Sequence, residues 1–176
     1  LSFGIDNSKL GYLGATSFSL PAGYTCPFAD ICKSTAHPKT GKITDYGDVR
    51  CFQAPIEAIR PNVRENRWNN QKLLHNKAKE EMVGIILKSL AHHEFSARPI
   101  QILRIHDSGD FYSQEYFDAW LEVVRKRPNI VFYAYTKSLP YWKARKNEIP
   151  INLKLIASTG GLEDQKLYIE SRMPWA

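Results

Sequence analysis

Cys26, Cys32 and Cys51 fall inside one segment, TCPFADICKSTAHPKTGKITDYGDVRCF (residues 25–52), and the remainder of the 176-residue chain holds no other cysteine. An odd number leaves at least one outside any internal disulfide. Thiolates are ligands for soft metals, but structural zinc sites favour close C-x₂₋₄-C or H-x₃₋₅-H pairs, and these intervals are longer. His37 would complete a Cys₃His set, so zinc stands as one alternative. An iron–sulfur cluster also takes thiolates and tolerates more varied spacing, and three of them leave one iron of a four-iron cluster to another ligand. Three unrelated cysteines packed as small apolar side chains are the plain alternative. Ligation gains weight from the segment itself. It is polar, carries Pro27, Pro38, Gly41 and Gly47, and is long for a loop without a function. Asp30, His37, His106 and a small molecule are the candidates for the remaining position.

A second group is His106-Asp107-Ser108-Gly109-Asp110-Phe111. Gly109 permits a positive φ or a close approach of backbone to ligand. Ser108 and the amides beyond it suit an anion near a helix start, while His106, Asp107 and Asp110 offer a base and two carboxylates. The same residues also make an ordinary turn, with Asp110 bonding backbone amides. Lys137, after the next strand, is placed to reach an anion in the same cleft or to be a solvated lysine. A Cys–His hydrolase through Cys26 and His106 has no local signature behind it. No phosphate-binding glycine loop, dinucleotide fingerprint, nucleophile elbow or zincin helix occurs.

The elements that must carry these groups follow from periodicity. Ser17–Leu20 alternates as a strand and stops at Pro21-Ala22-Gly23. Residues 63–90 read as helix, with a break near Asn76. Ile100–Ile105 is a β-branched strand. Ser113 caps a helix from Gln114 to about Arg127, with Glu115 in its first turn and Arg125-Lys126-Arg127 in its last, and Pro128 ends it. Ile130–Tyr135 is an apolar strand, a short helix opens at Ser138, Ile151–Ser158 is a further strand, and a last helix is expected over Leu162–Ser171. The β-α-β rhythm predicts an α/β fold with a parallel sheet of about four strands and outer helices, as an open sheet or partial barrel. Functional residues gather beyond the C-terminal ends of such strands, where the cysteine segment, HDSGDF, TKS and STGG all fall. Trp68, Trp120 and Trp142 are expected in the core.

A composition of 43% hydrophobic, 12% aromatic and 24% charged residues is that of a folded globular protein, expected to form one domain over residues 1–176. No run approaches a membrane span and no signal peptide is visible, which points to a cytosolic protein. The net charge of +6 makes nucleic acid a candidate partner, although the basic residues are spread over several elements.

LPAGYTCPFADIC, RCFQAP, PNVRENRWNN and RIHDSGDFYSQEYFDAWLEVVRKRPNIVFYAYTKSLPYW together resemble a phage-encoded family known as "gene product eighty-eight-like", over about Leu20 to Gly161. The cysteine motif and β-α rhythm are similar to those of radical S-adenosylmethionine proteins. That resemblance implies a partial (β/α) barrel in the host cytoplasm. It also implies a four-iron, four-sulfur cluster on Cys26, Cys32 and Cys51, and a cofactor pocket at Ser108-Gly109-Asp110 that His106, Asp107 and Lys137 complete. S-adenosylmethionine would then be the cofactor. The cysteine spacing is wider than the C-x₃-C-x₂-C of radical enzymes, and Asp110 is one methylene shorter than their usual Glu.

Overall fold

The computed structural model describes residues 1–4, 15–44, 49–94 and 99–164. Its central sheet has five strands, β1 (Phe3–Gly4), β2 (Ala15–Phe18), β5 (Ile102–Ile105), β6 (Val131–Thr136) and β7 (Leu153–Ala157), in that spatial order. The last four run parallel, each beside its predecessor, and β1 is an antiparallel edge paired Phe3 to Phe18. This is the expected α/β sheet with one strand added. Inside the cysteine segment β3 (Thr35–Ala36) and β4 (Ile43–Thr44) form a small separate hairpin. The helices are α1 (Ala54–Ile59), α2 (Pro61–Leu74), α3 (Lys79–Glu94), α4 (Gln114–Arg125) and α5 (Leu139–Ala144).

Phe18, Leu103, Ile105, Phe132, Ala134, Leu153, Leu155 and Ala157 supply the sheet's side of the core. Parallel strands covered by helices favour such aliphatic and aromatic residues. Helix α4 lays Tyr116, Phe117, Trp120, Leu121 and Val124 on them, and α3 adds Met82, Val83, Ile86 and Leu90. Ser113 caps α4 as expected, its Oγ accepting from the Tyr116 amide at 3.1 Å. The break near Asn76 is real, with Asn76 at φ 57° between α2 and α3.

Several bounds differ from expectation, β5 and β7 each beginning two residues later, at Ile102 and Leu153. Strand β2 begins and ends two residues earlier, because Ser19 and Leu20 already leave the sheet: the Leu20 amide turns to donate to the Ser108 carbonyl at 2.9 Å. Helix α1 was not expected; its short sequence holds too few apolar positions to show a period. The helix expected over 162–171 falls mostly outside the described residues. Among the described residues no helix is long and apolar enough to cross a membrane.

Candidate metal and cofactor site at the sheet end

The C-terminal ends of β2, β5, β6 and β7 are tied to one another by backbone. The Asp107 amide donates to the Phe18 carbonyl at 3.0 Å, and the Ser158 amide to the Thr136 carbonyl at 2.9 Å. The cysteine segment closes the same edge from above. Its Asp30 amide reaches the Gly160 carbonyl at 3.3 Å, the Leu162 amide returns to the Phe28 carbonyl at 3.0 Å, and Ala29 bridges Gly161. The four loops named from the sequence are therefore neighbours.

Within the segment, Ser34 links the backbones of Cys32 and Cys51. Its amide donates to the Cys32 carbonyl at 3.0 Å, and its Oγ accepts from the Cys51 amide at 3.4 Å. Gly23, whose carbonyl accepts from the Cys26 amide, presses on the same residue: a Cβ there would lie 2.3 Å from the Ser34 carbonyl oxygen. At φ 69° this turn requires glycine on both counts. The three cysteines are free and half-buried. Burial pushes the Cys26 thiol well above its ordinary value, and the Asp110 carboxylate, Cys51 and Cys32 add to the rise. Burial also raises Cys32, against a nearby Lys137, with Cys51 and Asp110 adding again. The three sulfurs thus lie within electrostatic reach of each other, and Cys26 and Cys32 also within reach of Asp110.

Among the described residues no three Cys, His, Asp or Glu side chains are placed to hold a single metal ion. The compact Cys₃His zinc set is not formed. His37 is exposed and occupied locally, its Nδ1 accepting from the Lys39 and Thr40 amides at 3.3 and 3.2 Å.

The residues expected to line a pocket divide sharply. Asp110 is buried, and both of its oxygens are engaged: Oδ1 accepts from the Phe111 amide at 2.8 Å and Thr136 Oγ1 at 2.6 Å, and Oδ2 from the Lys137 amide at 2.8 Å. Burial raises its pKa to about 6, against these three donors. It is a clamp between the β5 and β6 loops. Gly109, at φ 81°, brings that loop against the cysteine segment, where a Cβ would sit 2.4 Å from Thr25 Oγ1 and 2.7 Å from Leu20 Cβ. Lys137 faces the β7 loop, its Nζ donating to Ser158 Oγ at 3.0 Å and to the Thr159 carbonyl.

The other three point elsewhere. His106 is buried among Phe18, Phe111 and Tyr116 and shares a 3.0 Å hydrogen bond with the Tyr116 hydroxyl. Desolvation and then Arg104 hold its pKa down to about 3, so it is neutral and a poor base. It is a core residue, not a partner for Cys26 or a ligand beside it. Asp107 pairs with Arg104 at 2.8 Å and accepts from Gln53 Nε2 at 3.1 Å. Ser108 is buried with its Oγ 3.4 Å from Glu57 Oε1.

Glu57 itself was not singled out from the sequence. Its carboxylate is wholly buried, accepts from the Ala22 amide at 2.8 Å and pairs with Arg67 at 2.9 Å. Arg67 reaches on to Gln53 Oε1 at 2.6 Å. This network anchors α1 and α2 behind the cysteine segment. Four polar side chains of α2 (Arg64, Arg67, Asn70 and Gln71) are buried, a pattern that apolar periodicity does not detect.

The whole of this arrangement lies within one family match: the model described as Gene product 88 aligns with residues 3–173. The chain belongs to the Gene product 88 family. Two Gene 88 proteins, from Mycobacterium phages L5 and D29, are each 27% identical to it over 128 residues, 70% of this chain and 48% of theirs. The chain thus spans about half the length of these curated relatives. No solved structure matches it significantly.

Proposed function

We propose that this Gene product 88 family member is an iron–sulfur protein, with Cys26, Cys32 and Cys51 as thiolate ligands to a four-iron, four-sulfur cluster at the C-terminal edge of the sheet. The observation that carries this is the meeting of Cys32 and Cys51 at Ser34, against which the turn of Gly23 and Cys26 packs, within a segment of little regular structure. A cluster places each thiolate on a separate iron, so it fits sulfurs that are neighbours without sharing one ion's coordination sphere. The positive cluster core would favour the thiolate form that burial resists at Cys26 and Cys32, with Lys137 near Cys32. Free thiols of this kind persist in a reducing host cytoplasm.

S-adenosylmethionine is the cofactor that the radical-enzyme resemblance adds. The Asp110 carboxylate, which would receive its amino group, is saturated by protein donors, so this reading requires the β5 loop to rearrange. The test is anaerobic purification with iron, sulfide and zinc counted per chain. Near-equal iron and sulfide with a visible charge-transfer band are expected, and Cys32→Ala is expected to lose most of both. Zinc without sulfide would overturn the proposal. Cleavage of S-adenosylmethionine by the reduced protein separates a catalytic cluster from a structural or electron-transfer one.

A further inference from the structure

Helix α2 is polar on both faces. Its inner face is spent on the Glu57 network, while its outer face borders an open groove of about 720 Å³. The opposite wall is the turn Pro38-Lys39 of the cysteine segment, and α2 contributes Glu65, Trp68, Asn69 and Lys72. The turn is fixed in place: buried Arg64 donates from Nε to the Pro38 carbonyl at 3.0 Å and from Nη2 to the Lys39 carbonyl at 3.4 Å. Lys39 and Lys72 are exposed, and among the described residues neither ammonium group has a recorded partner. With Arg64 and against Glu65, the groove carries a surplus of two positive charges.

Trp68 decides what chemistry suits this charge. It was expected in the core with Trp120 and Trp142, which are indeed buried, but it is only half-buried and lines the groove. Tyr24, itself 55% exposed, packs on it at 4.8 Å between ring centroids. With Tyr24 packed against it, Trp68 offers a half-buried aromatic surface for a base, and the two lysines offer cations for its flanking phosphates, the combination used on single strands.

We propose that this groove binds single-stranded nucleic acid, with a base against Trp68 and phosphates at Lys39 and Lys72. The proposal does not depend on the cluster. It draws only on α2 and the Pro38-Lys39 turn.

The test is fluorescence anisotropy of a fluorescein-labelled twelve-nucleotide oligothymidylate with the full chain, across a salt series, with and without bound iron. Binding that weakens with salt is expected. Lys39→Glu with Lys72→Glu should lower affinity at least tenfold and flatten the salt slope by about 1.4, the value for two single-strand phosphates at about 0.7 each. Trp68→Leu should lower affinity between about fivefold and a hundredfold. Lys88→Glu with Lys146→Glu makes the same charge change at two exposed sites elsewhere. An equal loss in that pair would reduce the binding to general electrostatics and overturn the proposal. So would equal affinity for a duplex, or no binding at low salt. The lysine variants alter exposed side chains, so their folding, checked by circular dichroism, does not confound the result.

Discussion

Asp110 and His106 sit four residues apart in one loop and make opposite demands on pH. Burial raises Asp110 from 3.8 to about 6, so the native state keeps a proton that the unfolded chain releases. The stability tied to this proton is present below 3.8 and is lost as pH rises through about 6. His106 is lowered from 6.5 to about 3, so the unfolded chain takes up a proton that the native state refuses. Its contribution is present above 6.5 and is lost as pH falls toward 3. Between about pH 4 and 6 the two slopes oppose, each near one proton, and cancel to first order. Urea denaturation of the wild type should therefore change little with pH across that window from these two groups. In Asp110→Asn the histidine slope loses the Asp110 counterweight, and stability should climb more with pH from about 4 to 6.5 than in the wild type. An Asn variant as flat as the wild type would show that His106 titrates normally and is not desolvated. Gly109→Ala tests the same loop sterically. A positive φ with a Cβ pressed on Thr25 and Leu20 predicts a loss of about 2 to 4 kcal/mol, read as a lower urea midpoint with an unchanged slope.

Helix α2 shows most clearly which elements the sequence reveals. Strands β5, β6 and β7 and helix α4 were legible because β-branched runs and a two-faced pattern report burial directly. The convergence of their C-terminal loops was legible too, since a parallel sheet allows little else. What sequence hid was the role of polar residues. Residues 106–110 carry the right types for a pocket, yet His106 turns inward and Asp110 is consumed by three donors; which way a loop side chain turns is a tertiary property. Conversely, the periodicity of PNVRENRWNNQKLL points to Trp68, Leu73 and Leu74 as its buried face, while Arg64, Arg67, Asn70 and Gln71 are buried. The Glu57–Arg67 pair is the energetic centre of that hidden face, with side chains 0% and 6% exposed. Burial raises the Glu57 pKa even with Arg67 in place, so the arginine offsets a substantial desolvation cost. Removing one partner leaves the other buried and unpaired. Arg67→Leu is expected to cost about 3 to 5 kcal/mol, and adding Glu57→Leu should recover a large part of it. Chemical denaturation of the two single variants and the double variant forms the cycle; additive losses would mean that the pair is not coupled.

On the scale of the molecule, two bodies of very different cohesion meet at the sheet end. One is the sheet with α3 and α4, held by a continuous aromatic and aliphatic core. The other is the cysteine segment, which has a two-residue-per-strand hairpin, three exposed apolar side chains among its described residues (Ile31, Val49 and Phe52) and backbone ties in place of a core of its own. Segments with few buried apolar contacts open at lower free energy than the core to which they are docked. A group that binds only the closed segment would raise that opening free energy in proportion to its affinity, while leaving global unfolding of the sheet as the ceiling. Loss of a cluster should then act along the ties themselves. The Asp30 amide bonds the Gly160 carbonyl, and the Leu162 amide bonds the Phe28 carbonyl, so those residues are expected to open together. Hydrogen exchange followed by mass spectrometry, with iron-loaded and chelated protein compared anaerobically, reads this directly. Exchange in chelated protein should quicken across residues 26–34 and 158–162 and stay unchanged in 102–105 and 131–136. Uniform quickening would mean that metal supports the whole fold, and no change in either segment would remove Cys26, Cys32 and Cys51 from the ligand set.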